Sequence, residues 1–221
     1  MSLDTAFTEQ TRDKKTGDGD PTACTVWGFF QNPTSKRAEI MLLDCWQEWL
    51  GMPDLIEKVR KEMKVEYGDV AVPMIKPLYG APLVGGTGKK IDLIIIEDKG
   101  SGISLRQMLE REGVVAYPYN PGRADKLSRL HMVSHIPANG YVWLPESKKR
   151  AGEPMTWTEP LLAQLCVFTG DGSVEHDDYV DASTQAWRYF ADKGKMTFTG
   201  YKRDPDAALL PRKQTGNPYA A

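Results

Sequence analysis

The chain has 221 residues, 41% of them hydrophobic, with 28 basic and 30 acidic side chains and a net charge of −2. That length suits one large domain or two small ones, and the charge argues against a free-standing DNA-binding domain, which is usually basic. The longest near-continuous apolar run, residues 93–96, falls far short of the roughly 20 residues of a membrane span.

The N-terminus is polar and lacks the apolar stretch of a signal peptide. Cys24, Cys45 and Cys166 are far apart and form no CxxC pair, so neither a zinc site nor a disulfide framework is indicated. Each sits among apolar neighbours and is expected to be a small buried hydrophobe in a reducing, cytoplasmic setting. The short basic clusters Lys89-Lys90, Lys148-Lys149-Arg150 and Lys202-Arg203 read first as solvated loops.

Residues 1–7 read as the end of a strand that begins abruptly. Residues 8–21, charged and glycine-rich, predict a mobile hairpin loop. Cys24-Thr25-Val26-Trp27-Gly28-Phe29-Phe30 is rich in strand formers, Asn32-Pro33 marks a turn, and residues 39–46 predict another strand. Three strands with short connections imply an antiparallel meander. Pro53 and Asp54 suit the first turn of a helix, and Leu55, Val59 and Met63 recur on one stripe.

Residues 70–90, with several prolines and glycines, predict a long loop. It contains Gly85-Gly86-Thr87-Gly88-Lys89-Lys90, which superficially matches a phosphate-binding loop. Leu83 stands where the first glycine belongs and Lys90 where Ser or Thr belongs, so an ATP site is rejected.

Residues 92–97 are nearly all isoleucine and leucine between Asp92 and Glu97, which suits a strand covered on both faces. Gly100-Ser101-Gly102 leads into a helix carrying Ile103, Leu105, Met108 and Leu109, and residues 114–117 predict the next strand after a right-handed crossover. A turn and helix at 121–134, a short strand at 141–145, a helix at 157–168 and a final helix at about 177–190 follow. Leu161, Leu162, Leu165 and Cys166 share one side of the fourth helix. The predicted fold is α/β: a mixed sheet in which an antiparallel three-strand meander precedes parallel strands, with helices on both faces. That is the ribonuclease H-like architecture. Residues 1–191 form the expected domain and 192–221 an extended, flexible C-terminal tail.

Three acidic segments stand out: Ser2-Leu3-Asp4-Thr5-Ala6, Ile94-Ile95-Ile96-Glu97-Asp98-Lys99 and His176-Asp177-Asp178-Tyr179-Val180-Asp181-Ala182. Asp is disfavoured in strands, so Asp4 needs either an edge position or a function. Glu97 ends a strand, where ligands of α/β sheets collect; Asp98 points to the opposite face. Asp177, Asp178 and Asp181 open the last helix within about a third of its circumference. Each alone suits capping or the helix dipole. Together they exceed that need, and their repulsion calls for a cation. Carboxylates with few His or Cys partners suit Mg²⁺ or Mn²⁺, whose paired use is phosphodiester chemistry. His176 is a candidate to assist proton transfer. His131 and His135, four apart, lack a third ligand and are not read as a zinc site.

These acidic segments, together with Gly100-Ser101-Gly102, Asp125-Lys126-Leu127-Ser128-Arg129 and the strand at Leu42-Leu43-Asp44-Cys45-Trp46, resemble the nuclease domain of the large terminase subunit of tailed phages. The resemblance runs from Asp4 to about Phe190, with fewer residues before Asp4 than the family pattern has. It implies a metal-dependent endonuclease that cuts concatemeric viral DNA during genome packaging. Asp4, Glu97 and one or both of Asp177 and Asp178 match the family's metal-binding, catalytic acids, and Asp181 falls on the same motif. Two Mg²⁺ or Mn²⁺ ions are implied, with Asp4 bridging. Lys89, Lys90 and Arg129 are candidate contacts to DNA phosphates. Double-stranded DNA, the packaging ATPase domain, the portal and the small terminase subunit are the implied partners, with no membrane. The implied location is the cytoplasm of an infected bacterial host, for a viral or prophage-encoded protein. The competing readings are another ribonuclease H-like phosphotransferase, such as a resolvase or transposase core, and a non-enzymatic metal-binding interaction module.

Overall fold

The computed structural model describes residues 1–6, 21–67, 88–172 and 176–193. Nearly all of the expected loop at 8–21, most of that at 70–90 and nearly all of the tail lie outside them. Six strands form one sheet: β1 (Ser2–Asp4), β2 (Thr22–Gln31), β3 (Ala38–Glu48), β4 (Ile94–Glu97), β5 (Ala116–Tyr119) and β6 (Val142–Trp143). Their order across the sheet is β5-β4-β1-β2-β3-β6. β1, β2 and β3 pair antiparallel, whereas β4 runs parallel to β1, β5 parallel to β4 and β6 parallel to β3. The expected meander followed by parallel strands is therefore the sheet that forms.

Side-chain alternation splits the sheet into two cores. On one face Leu3, Cys24, Val26, Ile94 and Ile96 pack with Leu55 and Val59 of α1 (Met52–Glu62) and Leu105 and Leu109 of α2 (Gly100–Arg111). On the other, Ala23, Trp27, Ile40, Leu42 and Cys45 meet three helices. These are α3 (Lys126–Val133), α5 (Glu159–Val167) and α6 (Asp178–Asp192), with Val133, Leu161, Tyr179, Ala182, Ala186 and Trp187 pointing inward. A short helix, α4 (His135–Ala138), adds Ile136. β3 carries an extra residue, Leu43, where the register with β2 shifts at Val26/Trp27.

Three details depart from expectation. β5 starts at Ala116 because the Val114 N–H closes the end of α2 on the Leu109 carbonyl, leaving Val115 79% exposed. The fourth predicted helix splits into a 3₁₀ turn at Thr156–Thr158 and then α5, with Pro160 in the first turn of α5. Cys166 is exposed. Leu161 holds the inward position on α5, and five residues on the helix has turned Cys166 away from the sheet. No helix among the described residues is long and apolar enough to cross a membrane.

α2 starts hard against the end of β4. A Cβ on Gly102 would stand 2.0 Å from the Glu97 carbonyl oxygen. Ser101 Oγ donates to the Thr5 carbonyl at 2.5 Å, tying the same turn to the end of β1. Gly102→Ala must push α2 away from Glu97. It is expected to lower stability by about 1–3 kcal/mol, the usual range for overpacking, read as a lower urea midpoint. An unchanged midpoint would mean that α2 and Glu97 separate freely.

Candidate active site

The alternation that builds the two cores also sorts the acids. Leu3 and Ile96 face α1 and α2, so Asp4 and Glu97 face the side of α6. β1 and β4 are parallel neighbours, and both residues lie at the carboxyl ends of their strands. α6 runs over this seam and carries Asp178 and Asp181 in its first turn, 7% and 8% exposed. The Asp4 carboxyl titrates well above its ordinary 3.8. Burial is the largest cause, followed by the negative charges of Asp181, Asp178 and Glu97, with Lys126 acting in the opposite sense. Four carboxylates from three elements therefore share one electrostatic field.

A frame of polar contacts holds them. Asp4 pairs with Ala23 of β2, and Ala23 with Gln47 of β3, so Gln47 lies in the same row on the same face. Gln47 Nε2 donates to Asp178 Oδ2 at 2.7 Å, and its Oε1 accepts from Gln164 Nε2 of α5 at 3.0 Å. Gln164 Oε1 accepts in turn from the Tyr179 N–H at 2.9 Å. Asp125 caps α3 by accepting from the Ser128 N–H at 2.7 Å. The cap aims the first turn of α3 at α6. Lys126 Nζ lies 2.6 Å from Asp177 Oδ1 and 2.8 Å from Asp181 Oδ2, and Arg129 Nη2 lies 2.5 Å from Asp181 Oδ1. Burial opposes the charge on Lys126, but its bonds to Asp177 and Asp181 outweigh this and its pKa rises.

The sequence-predicted residues fall into distinct places. Asp4, Glu97, Asp178 and Asp181 come together. Asp177 occupies the N-cap position of α6, yet its side chain makes no cap bond and turns to Lys126. Asp98 points away and pairs with Arg106 at 2.7 Å. Arg129 is 8% exposed and bound to Asp181 and the Ala124 carbonyl, inside the wall of the site. Lys89 and Lys90 precede β4, at the opposite end of that strand from Glu97; Lys89 bridges to Tyr67 and Lys90 faces Glu66. His176 lies edge-on to Trp49, with a buried Nδ1 that has no hydrogen-bond partner among the described residues. His131 and His135 are exposed and lie on separate helices. Gln47, Gln164, Gln185 and Lys126 received no role from sequence reasoning.

Among the described residues, no three or more His, Cys, Asp or Glu side chains are gathered tightly enough to hold a metal ion. The contacts explain this. Asp177 and Asp181 are drawn to Lys126 and Arg129, Asp178 is held by Gln47, and Glu97 lies 3.7 Å from Lys99. The carboxylates share a field without converging on a point. Their chemistry still fits a hard divalent cation: the donors are all anionic oxygens. Burial first, and then the negative charges of Asp181, Asp178 and Glu97, hold the Asp4 pKa up, and a cation would relieve the second of these. A cleft of about 700 Å³ lies elsewhere, lined by Met1, Phe29, Lys89, Leu93, Tyr189 and Phe190 among others, toward the opposite ends of β1 and β4. Among the described residues, Asp92 is the one carboxylate in its lining.

Two outcomes follow from the electrostatics. Between 3.8 and the raised folded value, folded Asp4 keeps a proton that the unfolded chain has lost, so stability falls as pH rises through that window and stays low above it. Asp4→Asn removes this cost. In metal-free buffer near neutral pH it should unfold at higher urea than the wild type, with the gap closing as pH falls toward 3.8. Arg129→Met strips a buried carboxylate of its guanidinium. A loss of about 3 kcal/mol is expected, the lower end for a broken buried pair because Lys126 still reaches Asp181.

No curated protein and no solved structure matches the chain. A family described as the terminase RNaseH-like domain matches residues 74–189. The match takes in Glu97, Asp177, Asp178 and Asp181, while Asp4 lies before it, on a strand paired directly with β4. With more than half of its length matched, and with the mixed sheet the fold requires, the chain belongs to the terminase RNaseH-like domain family.

Proposed function

We propose that the chain is a metal-dependent endodeoxyribonuclease that cuts concatemeric viral DNA during genome packaging, using two Mg²⁺ or Mn²⁺ ions and little sequence choice. Its family supports a nuclease role in packaging. The observation that carries the finer reading is the field shared by Asp4, Glu97, Asp178 and Asp181 at the carboxyl ends of two parallel strands. Bound divalent ions supply an activated water and neutralise charge developing on the phosphate. Water adds to phosphorus and the bond to the 3′ oxygen breaks, leaving a 5′-phosphate and a 3′-hydroxyl.

Asp4, Glu97 and Asp178 are the proposed direct ligands, Asp4 being the most central because the charges of the others all reach it. Gln47 fixes the carboxylate plane of Asp178. Asp177 and Asp181, tied to Lys126 and Arg129, form the wall beside them. Lys99 and Lys126, at the rim of the acids, are better placed to meet a DNA phosphate than Lys89 and Lys90 beyond the other end of β4. The packaging ATPase, portal and small terminase subunit are the proposed partners, in the cytoplasm of a bacterial host.

Plasmid cleavage in EDTA, Mg²⁺ and Mn²⁺ tests the reading. Wild type should nick and linearise DNA only with metal, and Asp4→Ala and Asp178→Ala, both folded, should lose at least about 100-fold in rate, as removal of a metal ligand or its support does. Cleavage that survives EDTA, or folded variants that cut at the wild-type rate, would sink it.

A further inference from the structure

Gln185 is 3% exposed and sits in the middle of α6, on a face that otherwise packs against the sheet. Its Nε2 lies 2.8 Å from Ser2 Oγ, 3.2 Å from the Leu3 carbonyl oxygen and 3.2 Å from the Ile95 carbonyl oxygen. An amide nitrogen has two hydrogens, so one is shared between acceptors. Ser2 and Leu3 belong to β1, and Ile95 belongs to β4. One side chain therefore spans the seam between the two strands that carry Asp4 and Glu97. It does so at the residue just before Asp4 and two residues before Glu97. A buried amide is costly unless bonded, and an apolar side chain would pack here without that demand. The polar choice matches the geometry it fixes.

Spacing along α6 makes the link to the acids direct. Asp178, Asp181 and Gln185 are three and four residues apart and line one stripe. The helix that carries two carboxylates is thus pinned by its next turn to the strands that carry the other two. We infer that Gln185 is a positioning residue, which sets the separation between the α6 acids and the Asp4–Glu97 pair and so the affinity of the site for divalent cations. The inference rests on the nuclease reading above and adds a residue to it.

The test is Mn²⁺ titration of the full chain, followed by the loss of free-Mn²⁺ electron paramagnetic resonance signal, for wild type, Gln185→Met and Ile40→Val. Gln185→Met keeps length and bulk and removes the donor. Ile40→Val perturbs the same core far from the seam, on β3. Gln185→Met is expected to weaken Mn²⁺ binding 10- to 100-fold, about what loss of a bond that orients a metal ligand costs. The Mg²⁺ needed for half-maximal cleavage should rise in parallel. Ile40→Val should bind as wild type even where its melting temperature falls as far. Wild-type Mn²⁺ affinity in folded Gln185→Met would overturn the inference alone, reducing Gln185 to a core residue. Absence of Mn²⁺ binding by the wild type would overturn the nuclease reading and this inference together.

Discussion

Burial of α6 against the sheet is the constraint on which the site depends. From Asp178 to Trp187 every residue of that helix is buried, and the run includes Tyr179, Val180 and Trp187. Each large apolar side chain removed from water contributes about 1.5–3 kcal/mol. Crowding of carboxylates works against this, since each unit of raised pKa corresponds to about 1.4 kcal/mol. The apolar part of α6 is large enough to hold its acidic first turn over β1 and β4 despite their repulsion. Function and fold therefore compete on one helix, with stability supplied by its later turns and charge presented by its first.

Partial neutralisation keeps that competition local. Lys126 and Arg129 come from one turn of α3, set by the Asp125 cap, and both are directed at Asp181. Neither makes an ion pair with Asp4, whose titration is displaced upward first by burial and then by the neighbouring carboxylates, with Lys126 opposing them. Gln47 and Gln164 act differently, as neutral braces that link β3, α5 and α6 without changing the charge count. Cations on one side and amides on the other give the acids different environments on a single face.

Much of this was legible in the sequence because it follows from period and order. The unbroken apolar run before Glu97 reported a strand covered on both faces, and alternation separated Glu97 from Asp98. The Leu55–Val59 spacing gave α1, and the motif order gave the family. The braces were not legible. Gln47 lies one residue past the predicted end of its strand and meets Asp178 across 131 positions, and Lys126 meets Asp177 across 51. No local pattern encodes such contacts; the first arises when register places Ala23 between Asp4 and Gln47, the second when α3 packs beside α6. The capping role expected of an Asp at the start of α6 also failed for Asp177, because a nearby ammonium attracts its carboxylate more strongly than backbone N–H groups do.

The edges of the sheet carry a further consequence. Strands at an edge offer unpaired backbone groups that can template another chain. Here the outermost strands are β5, four residues long with Pro118 within it, and β6, two residues long. Proline removes a donor from the ladder, and two residues give too short a template for stable pairing. Among the described residues, growth of the sheet by a neighbouring molecule is thus disfavoured at β5 and at β6, so copies of the chain that meet at these two strands can lie next to one another without fusing their sheets.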